Sequence, residues 1–459
     1  MPYSYITWGG LKDQLSARLA DTAQTFWVSA EIELLMTEAL RTLGLCTGFW
    51  RERGTLASST GVAFYDINTL LYNGSEYLLA PTVTDRDIIK QIQYALLESA
   101  SSQTSWTGTE MFTYNDISKA ITNRRNQFSS DTGIVVSRSL INILPPPASR
   151  EILVQDVVDL RRMAWLGASP ENYYKTMWRD DERMLTAYQP DWSVDPGTPS
   201  TYSIMATPPL RFQIAPPPIS TGQIELLTVN SVTLDPANSA TILGIPDDLT
   251  PAIKWGALAD LLGIDGIASD PTRAAYCESR YMQYVQLARA LPVVIHAEIN
   301  GLPLIPSTLA EMDASTPNWQ NIASGPTNPV ADLLLVAPNM IALSAVPSTR
   351  TSVTLDVVRR TPIPATDLDD LQLGREQLDM AMDYAEHLAL FKVGGAEWHA
   401  TERQGQNFMM QAVAYNQRLS AAARAALSAS MQSQRQKQEI PRRLNDSAMG
   451  VGALQVQNG

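Results

Sequence analysis

The feature that most constrains this chain is repetition. Phe26-Trp27-Val28-Ser29-Ala30-Glu31-Ile32 opens one amphipathic stretch, and Met111-Phe112-Thr113-Tyr114-Asn115-Asp116-Ile117 opens another about 85 residues on. A Pro-flanked strand region that runs into a helix pair at 202–291 returns in looser form at 330–427. A small unit cannot bury its apolar face alone, so repeated units of this kind build surfaces and assemblies. Neither copy gathers reactive side chains, and the expectation is a structural component.

A chain of 459 residues divides into two to four domains, and 45% hydrophobic with 18% charged residues supports packed cores. The formal charge of -13 removes the broad basic stripe with which a protein grips phosphates, so sequence-specific DNA binding is not expected. Acidity suits a wall past which nucleic acid slides without sticking. Cys46 and Cys277 stand far apart and suggest neither a disulfide nor a zinc site. His296, His387 and His399 read as surface or capping residues, and no metal or cofactor is expected. No run reaches the ~18 apolar residues of a membrane span. Met1-Pro2-Tyr3-Ser4-Tyr5 lacks the pattern of a secretory leader, which predicts a chain made in a reducing cytoplasm.

Helical spacing of Leu11, Leu15 and Leu19 predicts a first helix. A second begins at Ser29, read as a capping-box residue, and is stopped by Gly44 and Gly48. Residues 49–55 and 62–67 read as strands around a Ser-Ser-Thr-Gly turn, and Asp85 to Glu98 as helix. In the second copy Asn115 or Asp116 caps a helix, followed by strands over 133–143 and 152–160 and a helix over 173–188. Alternation at Leu210–Ile214 and Gly222–Val229 predicts strands. Ile245-Pro246-Asp247-Asp248 and Asp270-Pro271-Thr272 open a helix pair. Strands at 330–337, 340–345 and 352–359 then precede a helix led by Asp367-Leu368-Asp369-Asp370, and a long helix over 396–428. Residues 430–459 read as an extended arm.

No phosphate loop, nucleophile elbow or HExxH motif is present, and no catalytic residue is assigned. The acids Asp367, Asp369 and Asp370, with Asp247 and Asp248 in the corresponding place, sit where helices begin, and the helix dipole accounts for them. Arg124-Arg125 and Arg161-Arg162 read as solvated pairs. Aromatic residues crowd 165–192, and Trp178 and Trp192 are candidate partner contacts. In the arm, Arg435, Lys437, Arg442 and Arg443 are candidates for charge-assisted contacts with a neighbour.

One further pattern runs through Leu11-x3-Leu15-x3-Leu19, Phe26-Trp27-x-Ser29-x-Glu31-Ile32 and Glu38-Ala39-Leu40-Arg41. It continues in Tyr188-Gln189-Pro190-Asp191-Trp192, Ile214-Ala215-Pro216-Pro217-Pro218 and Ile245-Pro246-Asp247-Asp248. This order of features resembles the head–tail adaptor (connector) proteins of tailed bacteriophages over roughly residues 7–190. The later part resembles larger neck or tail proteins. The resemblance implies an α+β, mostly helical chain: an adaptor-like helical bundle with β insertions over 1–190, a strand region plus helix pair over 191–300, a second strand region plus long helices over 301–429, and an extended C-terminal arm over 430–459. The middle two regions form a duplicated β-sandwich-and-helix-pair unit. It also implies a twelve-fold ring of copies in the virion neck or tail, assembled in the host cytoplasm. Its partners would be the portal, tail tube or nozzle proteins and tail fibres, with transient contact to passing DNA. A peripheral collar or fibre-docking protein with no DNA contact is the alternative. A hydrolase using Asp367, Asp369 and Asp370 is a third reading.

Overall fold

Two helices of equal length, each stopped by a left-handed glycine and followed at once by a strand, set the frame. The computed structural model describes residues 5–97, 111–145, 151–153, 156–167, 174–205, 211–232, 234, 240–266, 269–290, 293–316, 318–325 and 329–415. The chain begins with β1 (Ile6–Thr7), α1 (Trp8–Arg18), α2 (Ser29–Thr47), β2 (Arg51–Ala57), β3 (Phe64–Asp66), β4 (Leu71–Tyr72), β5 (Glu76–Tyr77) and α3 (Asp85–Ala95). It continues with α4 (Tyr114–Thr132), β6 (Val136–Ile143), β7 (Glu151–Leu153), β8 (Val157–Leu166), β9 (Tyr174–Thr176), β10 (Trp178–Arg179), α5 (Glu182–Tyr188), β11 (Thr201–Met205), β12 (Arg211–Ala215), β13 (Gly222–Asn230), α6 (Thr250–Gly263) and α7 (Pro271–Ala290). Last come β14 (Val294–Ile299), β15 (Leu302–Pro303), β16 (Ile305–Ser307), α8 (Leu309–Ser315), β17 (Asp332–Ala337), β18 (Met340–Leu343), β19 (Ser352–Val358), β20 (Asp370–Leu371), α9 (Arg375–Val393) and a helix α10 over 395–415.

Strand pairing resolves this mixed α+β chain into two copies of one design, the second inserted within the first. The outer unit holds α2, β2 and β3, then β14 to β19, α9 and α10. The inner unit runs unbroken from α4 to α7. The large sheets have the orders β15-β14-β19-β2 (extended by β4 and β5) and β9-β8-β13-β6. The small sheets have the orders β16-β17-β18-β3 and β10-β11-β12-β7. In each small sheet the first pair is parallel and the others are antiparallel. A seven-residue helix separates that parallel pair both times, α8 in one unit and α5 in the other. Even a single side-chain bond recurs: Trp319 Nε1 donates to Asp313 Oδ1 (2.9 Å) and Trp192 Nε1 to Thr186 Oγ1 (3.2 Å).

Within each unit the two sheets pack face to face. Leu56, Val353, Leu355 and Ala297 of the outer large sheet meet Leu333, Ile341 and Leu343. In the inner unit Ile224, Leu226 and Met163 meet Phe212, Ile214 and Tyr202. Alternation along each strand turns these residues to one side and leaves the neighbours on the other. The outward face of the outer small sheet is largely covered, with Ile305 at its edge left 42% exposed. Phe64, Leu334 and Ala342, with Trp319, pack on Val136, Leu227 and Val229 of the inner large sheet. Beside these sheets one helical core gathers residues of α1, α2, α3, α4, α6, α7, α9 and α10. The expected divisions at residues 190 and 300 are therefore not boundaries between cores: helices from all three expected regions share a single apolar interior.

Several local expectations change. Ser29 is not a capping-box residue, because Val28 is the N-cap and makes no side-chain bond. The loop before α2 is held instead by Asp21, whose carboxylate accepts the N–H groups of Phe26 and Trp27. Capping boxes form at Thr84/Asp87, Thr113/Asp116 and Thr308/Glu311, so Thr113 rather than Asn115 caps α4. Residues 62–67 do not fold back on β2; β2 pairs with β19 and β3 with β18, in different layers. The strand expected over 152–160 is interrupted at Asp156, with φ 57, and its second part runs on to Leu166. The helix expected over 173–188 is strand through Arg179 and helical only from Glu182. Asp367 to Asp370 precede α9 without opening it; β20 pairs with β1 and the helix starts after Gly374. The part of the long helix beyond 415, and the arm at 430–459, lie outside the described residues.

Gly48 and Gly133 carry the left-handed conformations that end α2 and α4. Gly44 does not end α2. The helix continues through it, and glycine fits there because a Cβ would meet the Thr361 hydroxyl and, at 2.9 Å, the Trp50 ring. Alanine favours helix over glycine by about 1 kcal/mol, yet overpacking costs about 1–3 kcal/mol. Gly44→Ala is therefore expected to lower stability, read as a fall in the urea midpoint with unchanged slope.

Candidate partner interface and the buried polar seam

Trp178 is the most exposed tryptophan side chain among the described residues, at 76%. Among the described residues β10 is an edge strand, paired in parallel with β11, and Trp178 lies opposite Thr201 on the outward side of the small sheet. Asp181 caps α5 by accepting the Arg183 N–H at 2.8 Å. That short helix and its flank add exposed Met184, Tyr188 and Val194 to the same stretch, and the Tyr188 hydroxyl donates to Asp180. Exposed aromatic and Met side chains grouped on one edge are the composition of a protein-contact surface.

Trp192, the other tryptophan expected at a partner contact, is a core residue. It is 6% exposed and packs with Leu185 and Ala215, pinning α5 to the small sheet. Arg435, Lys437, Arg442 and Arg443 lie outside the described residues. Next to Trp178 a cleft of about 480 Å³ opens between the units, lined by Tyr174, Met177 and Arg162 on one side and Leu309 and Asp313 on the other.

The junction of the units carries the charge that sequence placed in solvent. Glu225 alternates onto the face of β13 that points away from its own sandwich core. Its carboxylate is fully buried, accepting from Arg138 (2.6 Å), Arg162 (2.8 Å) and Gln320 (3.1 Å). Arg162 also makes a two-bonded pair with Asp313 of α8, 2.9 Å for each contact. Asn339 exchanges two hydrogen bonds with the Val136 backbone. Arg162 and Arg125 are thus not solvated: Arg125 is 1% exposed and donates to the Leu243 and Asn230 carbonyls. Arg124 pairs with Asp260 and Glu278; only Arg161 keeps a large exposed fraction.

A second polar seam crosses the helical core. Glu38 of α2 accepts from Lys254 and, at 2.9 Å, from Trp255 Nε1, both on α6. Burial pushes the Lys254 ammonium down from its ordinary range, against the pull of Glu38. Arg280 donates to the Tyr384 hydroxyl, and Tyr284 shares a 2.7 Å hydrogen bond with Thr42. His387 is not a surface residue. It is 1% exposed, bonded to Tyr276 and Thr401, and burial pushes it down to about 4. Both thiols are buried, and burial pushes Cys46 and Cys277 up to about 12.

The acidic positions do not come together. Asp367 pairs with Lys12, Asp369 accepts the Ala365 and Thr366 N–H groups (2.9 and 2.7 Å), and Asp370 sits in β20 opposite Thr7. Asp247 and Asp248 do more than face a helix dipole. Asp247 accepts from the Thr82 and Val83 backbone, and Asp248 from the Thr361 N–H and hydroxyl, which ties the segments before α3 and after β19 to the start of α6. Among the described residues no group of three acids, histidines or cysteines could hold a metal ion. Compared with known proteins, the chain matches no family model and no curated relative.

Glu225 was hidden from the sequence because a strand pattern reports which residues alternate, not what covers each side. Its removal leaves two guanidinium groups facing a vacancy, and breaking a buried pair costs about 3–5 kcal/mol. Glu225→Ala is expected to destabilise the fold by about 3 kcal/mol, near the lower end because Arg138 retains 28% side-chain exposure. The check is equilibrium urea unfolding.

Asp248 gives a pH-dependent readout. Burial raises its carboxyl to about 7 from an ordinary 3.8, so the folded chain keeps a proton that the unfolded chain releases. Its contribution to stability is complete below the unfolded value and disappears as pH rises through about 7. The stability difference between the wild type and Asp248→Asn is therefore expected to move against the wild type from pH 4 to pH 7.5. A difference constant over that range contradicts the assignment.

Proposed function

We propose that this chain is a virion structural protein of a tailed bacteriophage or related particle, forming an oligomeric ring that joins the portal to the tail and surrounds the DNA passage. One observation carries the reading: two sandwich-and-helix units are joined through unlike faces, small sheet to large sheet. A contact between unlike faces is the kind that rings and filaments repeat. The exposed edge around Trp178 supplies a surface for such contacts, and the resemblance of the first 190 residues to adaptor proteins supplies the particle. The proposed action is mechanical rather than catalytic. Packed units hold the channel open, and net negative charge limits lasting contact with DNA phosphates during passage. The basic residues of the C-terminal arm are assigned to docking on the portal or an adjoining ring, and tail tube, nozzle and fibre proteins are the remaining neighbours.

The purified full-length chain, imaged by electron microscopy alone and with its portal, is expected to form rings coaxial with the portal channel, twelve-fold by the same resemblance. A chain that stays monomeric in the presence of the portal overturns the reading. Density outside the channel wall selects the alternative of a peripheral collar or fibre-docking protein.

A further inference from the structure

The joint between the units is directional. Its donor is the outward face of the outer small sheet, with α8 seated above it; its receiver is the outward face of the inner large sheet. Each unit possesses one face of each kind. Among the described residues, therefore, no second sheet packs on the donor face of the inner unit or on the receiver face of the outer unit.

Strand registers match these free faces to the occupied ones. On the donor side Trp178 opens β10 opposite Thr201, as Ile305 opens β16 opposite Asp332. Thr186 accepts the Trp192 indole as Asp313 accepts that of Trp319, so Thr186 occupies the place from which Asp313 reaches Arg162. On the receiver side the row Arg53, Asp356 and His296 across β2, β19 and β14 corresponds to Arg138, Leu227 and Arg162 across β6, β13 and β8. Arg53 holds Asp356 through two bonds of 2.7 and 3.0 Å, and His296 lies 2.9 Å from Glu298. The inner receiver face is apolar at Leu227, where the outer one carries Asp356. This is the polarity demanded of a surface that stands in water before it is covered. The donor contributes the acids Asp180, Asp181 and Glu182 beside exposed Trp178 and Met184, and the receiver contributes Arg51 and Arg53 together with the acids Asp356 and Glu298.

We propose that copies of this chain join head to tail by repeating the internal joint, with α5 and Trp178 of one copy seated on the β2, β19 and β14 face of the next. This deepens the ring reading and rests on it: the ring is built of units, two successive ones from each copy. Closure follows from the rotation set at the joint.

The test places one cysteine on each face of the full-length chain, Thr186→Cys and His296→Cys, and treats the protein with a short bismaleimide in the presence of the portal. Cys46 and Cys277 are buried with thiols pushed up to about 12, so they stay silent. The double variant is expected to give a ladder of covalently joined chains, and each single variant none. Ile305, the counterpart of Trp178, stays 42% exposed at the internal joint and marks a rim position, so adding Trp178→Asp should weaken assembly by only about a few-fold, while the urea midpoint stays that of the parent. Assembly of the double variant without cross-links, or dimer formation by Thr186→Cys alone, overturns the face assignment and leaves the ring reading standing. A chain that remains monomeric beside the portal overturns both.

Discussion

Burial of the Glu225 carboxylate between two guanidinium groups is the constraint from which the rest of the architecture follows. A charge removed from water persists only when its partners are fixed in place. Here Arg138 and Arg162 come from the inner sheet, while Gln320 and, through Arg162, Asp313 come from the outer unit. The pairing fixes register as well as proximity. If the outer small sheet slid along the inner large sheet by one residue, α8 would carry Asp313 away from Arg162 and the apolar side chains around Trp319 would meet the wrong rows.

The helical layer makes the same choice by different means. Glu38 with Lys254, and Arg280 with Tyr384, join the outer helices α2 and α9 to the inner helices α6 and α7. Asp247 and Asp248 tie loops on both sides of the insertion to the start of α6. Apolar packing alone tolerates sliding between helices, whereas hydrogen-bonded polar groups in a low-dielectric interior do so at high cost. Sandwiches and helices together hold the two units at one angle. The proposed ring uses that fixed angle again between copies.

Much of this was legible in the sequence, and the missing parts have physical causes. Both repeats were visible: the first marks α2 and α4 with their following strands, the second marks β11 to α7 and β17 to α10. Periodicity found them because each element buries one face. Nothing in periodicity says which early half belongs to which late half, since pairing of β2 with β19 is a long-range event. The sequence therefore read as a linear series of domains where the chain is nested. The 173–188 segment misled because Met177 and Trp178 read as part of a helix, and parallel pairing with β11 overrode local propensity. Trp178 and Trp192 looked alike in sequence and ended on the same small sheet, one bare at its edge and one covered beneath α5. The buried His387, Arg125 and Glu225 were missed because a polar residue carries no local mark of the partner that will cover it. Gly44 was read as a stop and proved to be a close approach.

The nesting also bears on the order in which the polypeptide is made. The inner unit is contiguous, so all its strands and helices have been synthesised once Ala290 is added, and its sandwich can close while synthesis continues. The outer unit cannot: β2 waits for β19, and the entropy of that long closure is met only when the intervening chain is already compact. A nascent chain that has not reached Ser352 thus holds a finished guest inside an unfinished host. The receiver surface on β2, β19 and β14 comes into being only once β19 is made, so translation itself withholds it until the inner unit is complete.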